Sequence, residues 1–171
     1  MNQTQDVFTA TKNAVVDELD SAVETIAHCL GQLTGEQVWW RPSPSMNSIG
    51  NLILHLSGNV RQWITTGVGG AEDIRDRPLE FSEQGPIEAH ELMRQLTGTI
   101  EEAKQAIANG SPEDLTDRRR IQGFEVTGIG AVVHSVAHFR GHVQEIVHLT
   151  RSQLGDAYKF DFVPSTPEQG A

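Results

Sequence analysis

Four of the chain's seven histidines, His134, His138, His142 and His148, fall within fifteen residues. His138 and His142 are spaced i, i+4. On a helix that spacing sets Cβ atoms about 5–6 Å apart, from which two neutral imidazoles can converge on one divalent cation at about 2.0–2.1 Å each. At about 100° per residue, with His134 at 0°, His138 falls near 40° and His142 near 80°. The apolar face marked by Val143, Phe139 and Ile146 centres between about 120° and 180°. His138 and His142 therefore stand at the edge of a core seam, while His134 and His148 turn progressively toward solvent. The pair alone leaves two readings open: a metal half-site, or partly exposed helix histidines.

A third imidazole lies earlier in the chain. In the run Ile49, Leu52, Ile53, Leu56, Val60, Trp63 and Ile64, apolar residues recur at helical spacing, and His55 sits on the border of that stripe, beside Asn59 and Leu52. A histidine at such a border needs a partner, since desolvating it unpaired costs roughly 1–3 kcal/mol. Two facing helices that each present histidine at a seam edge are how helical bundles build metal sites. Three neutral imidazoles at His55, His138 and His142 leave a fourth position open, the arrangement of catalytic rather than structural zinc. His28 and His90 lack such company and read as surface residues. Asn51 and Asn59 flank His55 by one turn on each side, where they could orient a ligand, cap local structure or face water.

These residues need long helices to hold them. The first is expected from about Val7 to Leu30, with Val15, Val16, Leu19, Ala22, Val23, Ile26 and Leu30 in its stripe, and stops at Gly31. A connector from Gln32 to Met46 carries Pro42 and Pro44, with Trp39-Trp40 before them as packing residues. Asn47 or Ser48 then caps a second helix running to about Thr66. Residues Ala71 to Gly85 read as a long polar loop with room for a turn of helix. Pro86 suits the first position of a third helix, in which Ala89, Met93, Leu96, Ile100, Ala103 and Ile107 alternate by three and four. Leu115 to Val126 read as a short extended hairpin or an irregular arm. The fourth helix spans about Thr127 to Leu154, with Val132, Val133, Val136 and Phe139 among its core positions. The aperiodic segment from Asp156 onward, with Pro164 and Pro167, is expected to fray or pack over the surface. The pattern gives one all-α domain over residues 1–171, a four-helix bundle whose long second connection lets the chain cross over.

Composition sets the outer bounds. The 171 residues are 37% hydrophobic and 21% charged, ordinary for a globular protein and too apolar for a disordered one. A net charge of −10 argues against nucleic-acid binding, which draws on clustered Lys and Arg. The one dense basic run, Arg118-Arg119-Arg120, is a phosphate patch or a solvated loop. A single cysteine, Cys29, cannot form an internal disulfide and reads as a small buried residue. The opening Met1-Asn2-Gln3-Thr4-Gln5-Asp6 lacks the pattern of a signal peptide, and no run of about 18 apolar residues occurs, so neither a membrane partner nor a secreted setting is expected; the expected location is the cytoplasm.

The segments Trp40-Arg41-Pro42, Asn47-Ser48-Ile49, His55-Leu56 and Gly58-Asn59, followed by His134, His138-Phe139, His142 and Glu145-Ile146, resemble the DinB-like superfamily. These are four-helix bundles of the DinB and YfiT type. The resemblance covers nearly the whole chain in helix order and implies a divalent metal on His55, His138 and His142, zinc first, with nickel, iron or manganese as alternatives. Many relatives follow the last histidine with Gly-Gln, where this chain reads Val143-Gln144. The resemblance also implies a small-molecule substrate, a homodimer and one of two activities. In thiol S-transfer, a cation at an open position binds a low-molecular-weight thiol as the nucleophilic thiolate. In hydrolysis, it lowers the pKa of bound water toward about 7, and Glu145, near 20° on the histidine side of the helix, is the candidate base. Glu145 reads alternatively as an ordinary solvated charge, and His134 as a substrate-side acid or base, an outer-shell group or a surface histidine. A non-catalytic metal-binding or stress-response bundle is a third reading, which a fourth ligand from His134 would favour.

Overall fold

The computed structural model describes residues 3–162. Helix α1 (Gln3–Leu30) is followed by a short helix α2 (Gly35–Trp39), α3 (Ile49–Val60) and a π-helical turn at Arg61–Thr66. Then come α4 (Arg77–Ser82), α5 (Ala89–Asn109), α6 (Pro112–Thr116), the strands β1 (Arg118–Ile121) and β2 (Phe124–Thr127), and α7 (Gly128–Leu154), which ends in a 3-10 turn at Gly155–Ala157. Four long helices form an all-α bundle, with one two-stranded hairpin attached.

The principal helix packings run α1 on α7, α7 on α3, α3 on α5 and α5 on α1, closing a ring. Sequentially successive long helices α1 and α3 thus stand on opposite corners, as do α5 and α7. The chain crosses over in its first and third connections. The second connection, expected to make the crossing, joins neighbours; its length is spent instead on α4, which packs against α3. Leu19, Ala22 and Ile26 of α1, Ile49, Leu52, Ile53 and Leu56 of α3, Leu92, Leu96 and Ile100 of α5, and Phe139, Val143 and Ile146 of α7 build the fully buried core. Leu92 replaces Met93 at the centre of the α5 seam, and Val133, read as a core position of α7, is exposed. A smaller cluster of Trp63, Val68, Leu115, Ile121, Ala131 and Val132 lies under the hairpin.

Local chemistry explains most boundaries. Ser48 caps α3 through a reciprocal capping box with Asn51, Thr34 does the same for α2 with Gln37, and the Thr127 hydroxyl accepts from Gly130 N to start α7. Pro86 does not open α5: it lies outside the helix, which starts at Ala89 after Glu88, because the preceding residues are held elsewhere. Trp39 is what holds them. Its indole lies between Gly50 and Gly85 (φ +72°), where an added Cβ at either glycine would come within 3 Å of the ring, and its Nε1–H donates to Ile87 O at 3.0 Å.

The basic run is neither a patch nor a loop. It forms β1, paired antiparallel with β2 from Arg118 against Thr127 to Ile121 against Phe124. Arg119 donates to Gly67 O at 2.6 Å and to Asp114 O, fixing the hairpin to the end of the π-turn. Past α7 the chain packs on the bundle. His28 Nε2 donates to Lys159 O at 2.6 Å, Gln32 Oε1 accepts from Lys159 N, and Tyr158 meets His28 edge-on. His28 is therefore half-buried under this segment rather than a bare surface residue, whereas His90 is exposed. Pro164 and Pro167 lie outside the described residues.

Candidate metal centre

Three helical side chains meet where α3 passes α7. His55 comes from the second turn of α3, and His138 and His142 from successive turns of α7. The three rings stand nearly perpendicular to one another (77°, 86° and 87°), with centroids 5.0, 5.2 and 4.5 Å apart. One ring nitrogen from each lies within 4.8 Å of the others, so the three histidines are positioned to hold a metal ion. They form the sole such group among the described residues.

Each outer imidazole is oriented by a carboxylate. His55 Nδ1 lies 2.9 Å from Glu80 Oε2, and His142 Nδ1 lies 2.7 Å from Glu145 Oε2. A carboxylate accepts, so each Nδ1 carries the proton and donates it, which leaves each Nε2 lone pair for a cation. His55 Nε2 is 2.8 Å from His138 Nε2. Without a cation, His138 supplies the proton of that bond. With about 2.0–2.1 Å bonds and tetrahedral geometry the two nitrogens would stand roughly 3.3 Å apart, an opening of about half an ångström. Burial, followed by the neighbouring charges of His142 and His55, pushes the His138 pKa down to about 4. Its neutral, ligand-competent form therefore dominates at neutral pH.

Glu80 is itself gripped. It is buried in α4, and the Arg75 side chain, only 2% exposed, forks onto it: Nε donates to Oε1 at 2.6 Å and Nη2 to Oε2 at 2.8 Å. Burial alone would raise the Glu80 carboxyl, but the hydrogen bonds from Arg75 and His55 and their charges outweigh it and hold it below its usual range. Arg75 also donates from Nη1 to Gln62 Oε1 at 2.9 Å. The carboxylate reaches its place because residue 58 is glycine: a Cβ there would overlap Glu80 Oε1.

The asparagines serve the scaffold. Asn51 Oδ1 accepts from Arg41 and Ser48, and its Nδ2 donates to the carbonyls of Glu80 and Glu83, tying α4 to the start of α3. Asn59 Oδ1 accepts from Ser135 Oγ at 3.1 Å, linking α3 to α7. His134 is exposed, yet its ring packs on buried Trp63 at 4.1 Å and runs parallel to His138 at 6.1 Å. It stands beside the triad and is not part of the group that can share an ion. His148 is exposed one helical turn beyond Glu145. Cys29 of α1 is buried against Thr150 and Tyr158, and burial raises its thiol pKa.

Sequence reasoning missed Glu80 and Arg75, and it named Gly58 and Trp63 without their roles at the site. Two signals were present. Asp76 followed by Pro78 is a helix start, and it places Glu80 on a real helical turn, where Asp76 indeed caps α4. Gly58 inside an apolar helix costs about 1 kcal/mol relative to Ala, which points to something packed against it.

A family model described as a protein of unknown function (DUF1572) matches residues 7–166. No curated protein sequence matches the chain. Among solved structures, the chain is similar to a conserved protein from Enterococcus faecalis, with TM-score 0.69, 18% identity, and coverage of 88% of this chain and 96% of that one. It is also similar to the DinB-like protein YjoA from Bacillus subtilis, with TM-score 0.63, 13% identity, and coverage of 82% and 91%. The bundle is thus a DinB-like fold, and the chain belongs to the DUF1572 family.

Proposed function

We propose that the chain is a metal-dependent enzyme that uses its three-histidine centre to activate a low-molecular-weight thiol for S-transfer to a small electrophile. The observation that carries this reading is the state of the two nearby carboxylates. A hydrolase built on such a centre usually adds a free carboxylate base to the metal-bound hydroxide, but Glu80 and Glu145 are both engaged on imidazole Nδ1 atoms, at 2.9 and 2.7 Å. A thiol needs no such base, because a divalent cation held by three imidazoles stabilises the thiolate directly. The sulfur comes from the cosubstrate, consistent with a Cys29 thiol buried away from the triad.

In this reading His55, His138 and His142 hold the cation, Glu80 and Glu145 fix the tautomers of their histidines, and exposed His134 takes up the thiol proton and returns it to the displaced group. Zinc is the first choice, since neutral imidazoles and an open position suit it, and nickel, iron or manganese would fit the same donors. A small-molecule substrate, a cytoplasmic setting and a homodimer belong to the same proposal, the last checked by light scattering.

Protein purified without chelator should hold about one divalent ion per chain, and His138→Ala should lose it. Metal-loaded protein incubated with a thiol panel and 1-chloro-2,4-dinitrobenzene should form product only when thiol is present. Thiol-independent ester or amide cleavage would replace S-transfer with hydrolysis. No turnover together with a melting temperature that rises on adding zinc would leave a metal-binding bundle without catalysis.

A further inference from the structure

Two rings of the triad, His55 and His138, sit within an unbroken ladder of six rings. From Phe81 through His55, His138, His134 and Trp63 to Phe124, successive centroids are 5.0, 5.0, 6.1, 4.1 and 6.5 Å apart. Its members come from α4, α3, α7, the π-turn and β2, so no single element's periodicity produces it. Trp63 is buried and serves as the plate on which His134 lies. Phe124, at the hairpin tip, is 62% exposed. Leaving a phenyl ring in water forgoes the burial that usually decides where aromatic side chains go. The tip is nonetheless tied down: Gln122 donates to Gln62 Oε1, the oxygen that also accepts from Arg75, and Arg119 anchors the base of the hairpin to Gly67 O. An exposed phenyl group is thus held in a defined place, one indole ring away from a histidine that neighbours the metal ligands.

We propose that Phe124 and His134, backed by Trp63, form the wall of a substrate subsite that seats an aromatic ring, so that the molecule used at this centre carries an aromatic group next to the atom the metal binds. The proposal rests on the metal-centre reading above and narrows its substrate class to aromatic compounds. Phe124 selects the ring by stacking, which is worth up to about tenfold in affinity. His134 borders the same ring, which places a proton-carrying group at the substrate's edge.

The test uses two hydroxamates with the same chelating head. Metal content is measured first, then acetohydroxamate and benzohydroxamate are titrated into cobalt-loaded protein and followed by visible absorption. Benzohydroxamate should bind about tenfold tighter than acetohydroxamate, beyond any preference of the free ion. Phe124→Ala should remove most of that margin and leave acetohydroxamate binding unchanged. Phe160→Ala, which removes an aromatic ring of similar exposure on the segment after α7, should leave the margin intact. A wild-type protein that holds cobalt but binds both hydroxamates equally, or binds neither, overturns the aromatic subsite, as does a margin that survives Phe124→Ala. A protein that holds no metal overturns the centre itself, a result seen before any hydroxamate is added.

Discussion

The two carboxylate–imidazole pairs at the centre look alike and are built in opposite ways. Glu145 reaches His142 from three residues along the same helix, with side chains 39% and 26% exposed. Glu80 reaches His55 across 25 residues of chain, from a separate helix, with side chains 8% and 7% exposed and Arg75 forked behind it. The first pair forms wherever α7 forms, and solvent screens it. The second exists only when α4 is docked on α3. One histidine is therefore oriented by local geometry and the other by the tertiary fold, so a metal held by His55 would be coupled to the docking of the 67–88 connection.

Removing the tertiary pair should have the largest effect. Glu80→Ala leaves the Arg75 guanidinium buried and unpaired, and should cost about 3–5 kcal/mol of unfolding free energy, read from urea titration of the metal-free protein. A loss below about 1 kcal/mol would mean that α4 contributes little to the fold and that the two pairs differ less than their burial implies.

Gly58→Ala separates orientation from folding. Alanine is the better helix former by about 1 kcal/mol, yet its methyl group takes the space of Glu80 Oε1. Metal affinity should fall about 10–100-fold, the usual cost of losing a group that orients a ligand, as measured by competition with a chromogenic chelator. Unchanged affinity would show that His55 does not need its carboxylate. Glu145→Gln should be milder: a metal affinity within about tenfold of wild type and a stability change within about 0.5 kcal/mol.

His138 contributes a pH dependence of its own. Its folded pKa, near 4, lies below the unfolded value near 6.5. As pH falls through that window, the unfolded chain takes up the proton first. The contribution to stability is therefore fully present above about 6.5 and is lost progressively toward 4. Metal-free wild type should lose urea resistance across this range more steeply than His138→Gln. Parallel curves would remove His138 from the account.

What the sequence discloses follows the same division. The α7 pair, the border position of His55, a cap at Asn47 or Ser48 and the start of α7 near Thr127 are all readable, because each depends on spacing within one element. The roles of Glu80 and Arg75 are not: Asp76 and Pro78 mark a helix start, but the partners of the two residues are fixed by the docking of α4, which no period in that polar stretch reveals. The neighbourhood of α3 and α5 escapes for a related reason: helix periodicity says which face is buried and not which helix covers it. Val133 misleads because an apolar residue on the border of a stripe can face either way, and here the hairpin and α1 cover other positions of α7.

Trp39 carries a consequence for descent. Its indole fills the space that side chains at residues 50 and 85 would otherwise occupy, so changes at the three positions should be coupled. A lineage that replaces the tryptophan with a smaller residue releases Gly50 to vary, while Gly85 stays held to glycine by its φ of +72°, and one that acquires a side chain at either glycine must give up the indole and its bond to Ile87. Joint variation at 39, 50 and 85 across the family would therefore mark which relatives still clamp the connection that delivers α4 to the metal centre.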